Sequence, residues 1–455
     1  MLPVRAAIVI ACFVVPLPAQ TSDLSSLDQF AAAELAKSNL PGASIAILRG
    51  EKVIYSKGFG TANNETGDAV RPEMLFRIGS TTKMFTATAL AELAVEGKID
   101  LNAPIGTYLK FLPPKLSRIT GDQLLSHTAG LKDDGMMFGP HDDSALGDGI
   151  RAWTEDRLFT SPGKIFSYSN AGYWLAGYLV ETLTSTPFAD AMDALIFRPL
   201  GMTRTTLRPT MAMTWPLAQG HEEKDGKLGI ERPAADNAAT WPAGSIFSNT
   251  HDLALFASAF MNQGRLEGKQ VIDPRAVALV SSPHVAIPGG TNTWVSYCYG
   301  LQTGEFRGLD VIEHRGSRAG YGSHIRMIPS QRVAIIVLTN RTDGWLPATT
   351  EKAIELLLPL KPKPTEKIEA ALPISPDDLT RNVGIYQNGG ERLQVLARGK
   401  RLFLKFGPNP EVELTKHSES SFGTSRGELT LVAGTDSVTE YVYIGALGRS
   451  FARVR

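Results

Sequence analysis

The sequence predicts an α+β fold in which a mostly helical region is inserted into a sheet built from two distant parts of the chain. β-Rich segments occupy residues 43–60 and recur over 309–341. Between them, residues 99–260 read mainly as helices separated by loops rich in proline and glycine. This order of elements predicts a single sheet assembled from the two β-rich parts of the chain. A small all-β domain is predicted to follow this α+β domain.

Each element has its own local signal. Gly50 and Glu51 join two short β-rich runs, which predicts a hairpin. Gly97 follows an apolar helical stretch and is a usual helix stop. The other predicted elements are a first helix over 24–38, a long apolar helix over 79–97, three successive strands over 309–341 and a closing helix over 346–360.

Three further segments complete the predicted domain organisation. The main α+β domain spans residues 21–360, and a proline- and charge-rich linker covers 361–378. Residues 379–455 contain short alternating runs punctuated by turn residues, which predicts a small β domain. This domain contains "GTSRG", residues 423–427, but no helix or histidine follows it, so we interpret it as a chance match to the G-x-S-x-G motif.

The N-terminus has the pattern of a secretory signal peptide over residues 1–20. Arg5 supplies the positive charge, residues 6–15 form the apolar run, and cleavage is predicted near residues 19–20. A membrane anchor needs roughly 20 apolar residues, and the stretch before Cys12 is too short for a lipoprotein site. We therefore predict a secreted or periplasmic protein without a membrane span in its mature chain.

Composition excludes several classes of function. Lys plus Arg equals Asp plus Glu, at 46 each, so there is no general electrostatic attraction for nucleic acid. Cys298 is the one cysteine outside the predicted signal peptide, and its aromatic neighbours predict a strand residue rather than a nucleophile. No CxxC, HExxH or histidine cluster occurs, so neither a metal nor another cofactor is predicted.

Ser80 and Lys83 are the first candidate catalytic pair. Their i, i+3 spacing at a helix start places both side chains on one face. An alternative interpretation is a capped helix with a solvated lysine. Residues 84–95, however, include only three polar positions, so the helix is predicted to be buried. Burial lowers the pKa of a lysine, and such a lysine can accept the proton of a neighbouring serine.

The same S-x-x-K pattern occurs as "SPGK" at 161–164, where proline and glycine predict a turn, and we discard it as a nucleophile.

"YSN" places Tyr168 and Asn170 two residues apart, and a tyrosine beside a cationic lysine can be shifted towards phenolate. "HRGS" begins with His314, and its glycine, Gly316, is predicted to let substrate backbone approach closely.

The ordered set "STTK", "HTAGL", "YSN", "PAGS" and "HRG" resembles the serine β-lactamase and penicillin-binding-protein superfamily. The resemblance is strongest to class C β-lactamase-like serine hydrolases and covers roughly residues 24–360. It implies an antiparallel sheet flanked by helices. It also implies that Ser80 is the acylated nucleophile, that Lys83 activates it, and that Tyr168 is the general base and proton shuttle. Asn170 is implied to hydrogen-bond Lys83 and the substrate amide.

The resemblance further implies an oxyanion hole formed by the backbone N–H groups of Ser80 and Ser317. His314 stands where many members have lysine, and Arg315 stands where they have a small residue. Either Arg315 leaves the cleft or it reaches a substrate carboxylate. His314 replaces a fixed cation with a titratable group, which weakens the expectation of β-lactam turnover. The C-terminal domain resembles the lipocalin-like domains appended to some members.

The predicted function is therefore a serine hydrolase that forms an acyl-enzyme on small esters or amides, including peptides that contain D-amino acids. One alternative is a β-lactamase. Another, from a different class, is a penicillin-binding or sensing module that acylates slowly and does not turn over. The predicted partner is a small-molecule or short-peptide substrate, and the sequence makes no prediction of oligomeric state.

Overall fold

The computed structural model describes residues 24–290, 294–363, 371–425 and 427–454. The predicted signal peptide and Cys12 lie outside these residues. No helix in the described ranges is long and apolar enough to cross a membrane. The helices are α1 Ser25–Lys37, α2 Thr82–Val95, α3 Gly121–Leu125, α4 Ala145–Arg151, α5 Asn170–Thr184, α6 Phe188–Met192, α7 Pro209–Ala212, α8 Trp241–Gly244, α9 Thr250–Met261, α10 Pro274–Ser281, α11 Pro347–Leu357 and α12 Pro376–Asn382.

The strands divide at the segment that joins α11 to α12. Those before it are β1 Gly42–Arg49, β2 Lys52–Asn63, β3 Asp68–Ala69, β4 Phe76–Arg77, β5 His221–Lys224, β6 Lys227–Ile230, β7 Phe247–Ser248, β8 Arg265–Leu266, β9 Lys269–Gln270, β10 Val285–Ala286, β11 Ser296–Tyr297, β12 Gln302–Phe306, β13 Leu309–Arg318, β14 Tyr321–Ile328 and β15 Val333–Thr339. Those after it are β16 Gly384–Asn388, β17 Glu391–Arg398, β18 Arg401–Phe406, β19 Val412–Glu413, β20 Thr415–Lys416, β21 Ser421–Thr424, β22 Gly427–Ala433, β23 Thr439–Ile444 and β24 Arg449–Arg453.

The first large sheet has, within the described ranges, the strand order β10-β11-β12-β13-β14-β15-β1-β2-β3, and its neighbours pair antiparallel. Strand β1 from the start of the domain therefore lies beside β15 from its end. The helical region from α2 to α10 lies between them in sequence. The predicted α+β fold, with one sheet built from both ends of the domain, is confirmed.

The position of strand β15 in the sheet explains why its sequence is apolar throughout. Val333, Ile335 and Val337 belong to the core beneath α1 and α11. The alternating residues Ala334, Ile336 and Leu338 belong to the core on the opposite face, with α2 and α9. Because successive side chains point to opposite faces, a strand covered by helices on both sides is apolar at every position.

A second antiparallel sheet, β16 to β24, forms the C-terminal unit and encloses its own hydrophobic core. The predicted all-β character of this unit is confirmed. Its first element is α12, which begins at Pro376 inside the stretch predicted as a linker. Ser375 and Asp378 form a reciprocal capping box there, a local signal strong enough to start a short helix.

Candidate active site

Ser80 lies in a single turn of 3₁₀ helix, Gly79–Thr81, that leads directly into α2. Lys83 occupies the first turn of α2, and its Nζ donates a hydrogen bond to Ser80 Oγ over 3.1 Å. The side chain of Lys83 is completely buried. The structure therefore brings the predicted pair together on one side of the helix start.

Two further acceptors hold the Lys83 ammonium. Asn170 Oδ1 lies 2.6 Å from Nζ, and the carbonyl oxygen of Ala243 lies 2.8 Å from it. With Ser80, these contacts engage all three protons that a charged lysine can donate. Burial nevertheless lowers the pKa of Lys83 to about 7, against the opposing charge of Asp133. A substantial fraction of Lys83 is therefore neutral near neutral pH.

Asp133 is a site residue that the sequence reading missed. Its two carboxylate oxygens accept from the backbone N–H of Asn170 over 2.9 Å and from the Asn170 amide over 3.2 Å. These bonds orient Asn170 so that its oxygen faces Lys83. The residue follows "HTAGL" by two positions in "LKDD", so proximity to a recognised motif was the only signal in the sequence.

Tyr168 is held on several sides just before α5. Its backbone N–H donates to the carbonyl of Gly448, in the C-terminal unit, over 2.8 Å. Its phenol hydrogen-bonds Ser80, and Lys83 Nζ lies 4.8 Å from the centre of its ring. Burial raises the pKa of Tyr168 above its usual value. The expected shift towards phenolate is therefore wrong, because desolvation outweighs the hydrogen bond from Ser80.

His127 of "HTAGL" supports this tyrosine. Its ring centre lies 4.2 Å from that of Tyr168, and its Nδ1 accepts the backbone N–H of Ser169 over 3.1 Å. The residue is buried and adopts a left-handed backbone conformation, with φ of 60°. The motif was recognised in the sequence, but this positioning role was not.

His314 packs behind Tyr168, with the ring centres 6.2 Å apart. Its Nδ1 lies 2.6 Å from the carbonyl oxygen of Arg315, and its Nε2 lies 3.3 Å from the hydroxyl of Tyr297. Burial, together with the charge of Lys83, lowers the pKa of His314 to about 3. His314 is therefore neutral at ordinary pH, which corrects the expectation of a group that titrates near neutrality.

Gly79 and Gly316 allow the Ser80 turn to touch strand β13. A Cβ on Gly316 would lie 2.0 Å from the carbonyl oxygen of Ile78, and one on Gly79 would lie 2.5 Å from the backbone nitrogen of Ser317. Gly79 also has φ of 51°, a conformation that favours glycine. Gly316 was expected to make room for substrate. Instead it makes room for the protein's own backbone.

Strand β12 pairs with β13 only as far as Glu313, among the residues described. Within the described ranges, the end of β13, from His314 to Arg318, therefore has no strand partner on that side, and its backbone lies against the Ser80 turn. Ser317 lies in this segment and lines the same cavity as Ser80. Its backbone is thus close to the predicted nucleophile, as the predicted oxyanion hole requires.

Arg315 does not line the cavity that contains Ser80. Its guanidinium carbon lies 4.7 Å from the ring centre of Trp294 and 5.5 Å from that of Trp345. These cation–π contacts direct the side chain into a separate pocket that Glu428 of the C-terminal unit also lines. Of the two alternatives for Arg315, the one in which it binds or orients substrate by reaching a substrate carboxylate is therefore corrected. The other, that the side chain leaves the cleft, describes its position.

Two cavities lie beside the predicted catalytic residues, and Asp133 lines both of them. The first, which we name the Ser80 cavity, has a volume of about 190 Å³ and is lined by twelve residues: Ser80, Asp133, Gly135, Met136, Met137, Asn170, Trp174, Thr240, Ala243, Gly244, Ser317 and Arg318. The second, the Tyr168 cavity, measures about 580 Å³ and is lined by Asp133, Asp134, Tyr168, Asn388, Gly389, Gly390, Glu391, Leu447 and Arg449. The C-terminal unit therefore forms one wall of the second cavity.

A family model described as Beta-lactamase matches residues 27–358. The chain belongs to the Beta-lactamase family. This membership covers the part of the chain that contains both the large sheet and the predicted catalytic residues. The resemblance that the ordered motifs indicate is thereby confirmed.

Individual relatives agree with this placement. The unguisins hydrolase ungD' of Aspergillus campestris is 30% identical over 321 residues, which cover 67% of this chain and 59% of that protein. The chain thus spans less than two thirds of that relative's length. The crystal structure of SurE matches with a TM-score of 0.79 at 23% identity, over 96% of this chain and 100% of the other. A class C beta-lactamase matches with a TM-score of 0.62 at 20% identity, over 74% and 97% respectively. These two structures show the fold, and the SurE match extends it over the C-terminal unit.

Proposed function

We propose that this protein is a serine hydrolase that forms an acyl-enzyme on Ser80 and acts on small esters or amides, including those of D-amino acids. One observation carries the proposal. A fully buried Lys83, with a pKa lowered to about 7, donates a 3.1 Å hydrogen bond to Ser80 Oγ. Once it has lost a proton, the neutral amine of Lys83 can take up the serine proton as the hydroxyl attacks.

Acylation follows from this geometry. Neutral Lys83 accepts the Ser80 proton while Oγ bonds to the substrate carbonyl carbon. The carbonyl oxygen takes up the negative charge and accepts the backbone N–H groups of Ser80 and Ser317. Loss of one such donor typically slows a reaction by ~10²–10³-fold. The N-terminal end of α2 adds a favourable field for negative charge at this point.

Tyr168 completes the cycle as a proton shuttle. Its raised pKa keeps it a phenol, so it gives its proton to the departing oxygen or nitrogen and recovers one from the Lys83 ammonium. In deacylation, a water molecule loses its proton to this pair and attacks the ester carbon. Ser80 then leaves with a proton returned by Lys83. Proton balance is restored at the end of each turnover.

The neutral state of His314 supports an ester or amide substrate over a β-lactam. A β-lactam carries a carboxylate that a fixed cation at this position would attract, and a buried histidine with a pKa of about 3 provides no such charge. A relative named as an unguisins hydrolase supports hydrolysis as the reaction class.

The test compares a short-chain nitrophenyl ester, D-alanine nitroanilide and a chromogenic cephalosporin, using residues 21–455 and the Ser80→Ala variant. We expect turnover of the ester and the anilide, a cephalosporin rate at least ~100-fold lower, and loss of all activity in Ser80→Ala. Fast cephalosporin turnover would instead favour a β-lactamase. A stable adduct on Ser80 without turnover would favour the slow-acylating sensor.

Residues 1–20 are proposed to direct export, on the pattern of charge, apolar run and small residues described above. Expression of the full chain in a bacterium with a periplasm tests this directly. A processed N-terminus near residues 19–20 in the periplasmic fraction is expected, whereas an unprocessed cytoplasmic chain would contradict it.

A further inference from the structure

Arg318 in the Ser80 cavity has no role in the chemistry described above. It follows Ser317 directly, at the end of β13, and lines the same cavity as Ser80. Its Nη2 donates a long hydrogen bond, 3.4 Å, to the carbonyl oxygen of Ala235. Its Nε is buried and has no hydrogen-bond partner among the described residues. A guanidinium with five donors is thus nearly unused inside a cavity next to the nucleophile.

The Asp236 carboxylate, whose charge acts on Arg318, is already engaged by other residues. Asp236 accepts from Arg77 over 2.9 Å, from Trp241 Nε1 over 3.2 Å, and pairs with His141 Nδ1 at 2.8 Å. Arg77 also donates to the Ala235 carbonyl, so the two guanidinium groups share this carbonyl, whereas the Asp236 carboxylate pairs with Arg77. Burial and the neighbouring Arg77 charge lower the pKa of Arg318 to about 9, against the opposing charge of Asp236. This corner of the cavity therefore carries uncompensated positive charge.

Asp133, the acidic residue of the same cavity, does not neutralise Arg318. Both of its oxygens accept from Asn170, and its charge acts on Lys83 and Tyr168. It also lines the Tyr168 cavity, which places it at the junction of the two cavities. Two charged groups thus line the Ser80 cavity. The Asp133 carboxylate, at the junction, has its hydrogen bonds satisfied, whereas the Arg318 guanidinium, inside the cavity, does not.

If the proposed function holds, the leaving group and the acyl group of the substrate lie in different cavities. Tyr168 protonates the leaving group, so the leaving group extends into the Tyr168 cavity. The acyl group, bonded to Ser80, extends into the Ser80 cavity, where Tyr168 is not a lining residue. Arg318 therefore faces the acyl side of the scissile bond.

We propose that Arg318 selects substrates whose acyl group ends in a carboxylate, which it binds inside the Ser80 cavity. A carboxylate would accept from the guanidinium in the paired geometry that arginine favours. It would also supply the negative charge that this corner lacks. The cavity volume of about 190 Å³ is enough for a short acyl chain. The proposal rests on the proposed function and specifies its substrate class.

The test uses two nitrophenyl esters that differ only at the far end of the acyl chain: the adipate monoester, which is anionic, and its methyl ester, which is neutral. The wild-type protein is compared with Arg318→Gln and with Arg318→Lys, which keeps the charge. Arg315→Gln serves as the matched control, because Arg315 belongs to the same strand and lines a different pocket.

We expect the wild type to prefer the anionic ester, and Arg318→Gln to lower kcat/KM for it by about 10–100-fold, the usual effect of losing a hydrogen bond to a charged group. For the neutral ester the change is expected to stay within about threefold. Arg318→Lys retains part of the preference, and Arg315→Gln retains all of it. Equal loss on both esters in Arg318→Gln, or a wild-type preference for the neutral ester, would overturn the proposal.

A binding measurement separates this proposal from the proposed function. Calorimetric titration of Ser80→Ala with adipate, and with dimethyl adipate, which carries no carboxylate, needs no turnover. Adipate is expected to bind at least about tenfold more tightly, and the difference is expected to vanish in Ser80→Ala/Arg318→Gln. If the wild type hydrolyses neither ester but this difference persists, the proposed function fails and the carboxylate site stands. If adipate shows no advantage, the carboxylate site is wrong even when the esters are hydrolysed.

Discussion

Lys83 Nζ lies 2.6 Å from Oδ1 of Asn170, and this contact joins the start of α2 to the start of α5. Asn170 is itself oriented by Asp133, which belongs to the loop after "HTAGL". Three distant parts of the chain thus fix one ammonium beside Ser80. The arrangement holds the Lys83 ammonium in place.

The pH dependence of activity is expected to follow Lys83. Burial lowers its pKa to about 7, so the neutral, proton-accepting form increases as pH rises through that value. We predict that kcat/KM for a neutral ester falls about tenfold per pH unit below 7 and levels off above it. A pH–rate profile from 5 to 9 checks this, and a flat profile would argue against Lys83 as the base. Lys83→Arg, which stays protonated, is expected to lose at least ~10³-fold at every pH.

Tyr168→Phe is expected to slow substrates according to their leaving group. An amine leaves only when protonated, so kcat/KM for a nitroanilide or peptide should fall by about 10²–10⁴-fold. Nitrophenolate leaves without a proton, so a nitrophenyl ester should lose less than about tenfold. Steady-state kinetics on the two substrates measures the difference, and an equal loss on both would contradict Tyr168 as the proton donor to the leaving group.

Gly79→Ala is expected to lower both stability and activity by more than the strain of its left-handed backbone conformation alone would. The new Cβ would lie 2.5 Å from the Ser317 nitrogen and displace one wall of the oxyanion hole. Gly67→Ala is the matched control, because Gly67 also has positive φ, 77°, with nothing within 4 Å of an added Cβ. We predict that Gly67→Ala costs about 1–2 kcal/mol of stability and leaves kcat near wild type. Gly79→Ala should cost a further ~1–3 kcal/mol and lower kcat at least tenfold. Matching thermal shifts and matching kcat in the two variants would contradict this.

The C-terminal unit is expected to influence catalysis through Gly448. Its carbonyl accepts the Tyr168 backbone N–H, and a Cβ on it would lie 3.3 Å from Tyr168 Cβ. Gly448→Ala should shift Tyr168 and lower kcat/KM about 3–10-fold, since small displacements of catalytic groups are costly. Gly407→Ala, at another positive-φ glycine of the same unit with open space around it, should change kcat/KM less than twofold. Equal effects of the two substitutions would show that the unit acts only through its stability.

Much of the fold could be predicted because periodicity and element order are local properties of the sequence. Strand β15 was recognisable from its continuous apolar run, and the helix containing Lys83 from its lack of polar residues. The placement of Ser80 beside Lys83 followed from helical spacing alone. Tyr168 and Asn170 required recognition of the ordered motifs, since nothing local joins them to Ser80.

The features that could not be predicted from the sequence depend on burial in the folded protein. The pKa of Tyr168 rises and that of His314 falls because both side chains are buried, and no local pattern of residues measures that burial. The position of Arg315 depends on Trp294 and Trp345, which lie 21 and 30 residues away along the chain. Short helices such as α12 depend on caps that only the folded backbone reveals.

Trapping the acyl-enzyme tests the central claim most directly. The protein is mixed with a slowly hydrolysed nitrophenyl ester, quenched in acid during turnover and analysed by intact-protein and peptide mass spectrometry, with Ser80→Ala alongside. We predict a mass increase equal to one acyl group, located on the peptide that contains Ser80 and absent from Ser80→Ala. An acyl group found on another residue, or turnover that persists in Ser80→Ala, would contradict a mechanism in which Ser80 is the nucleophile activated by Lys83.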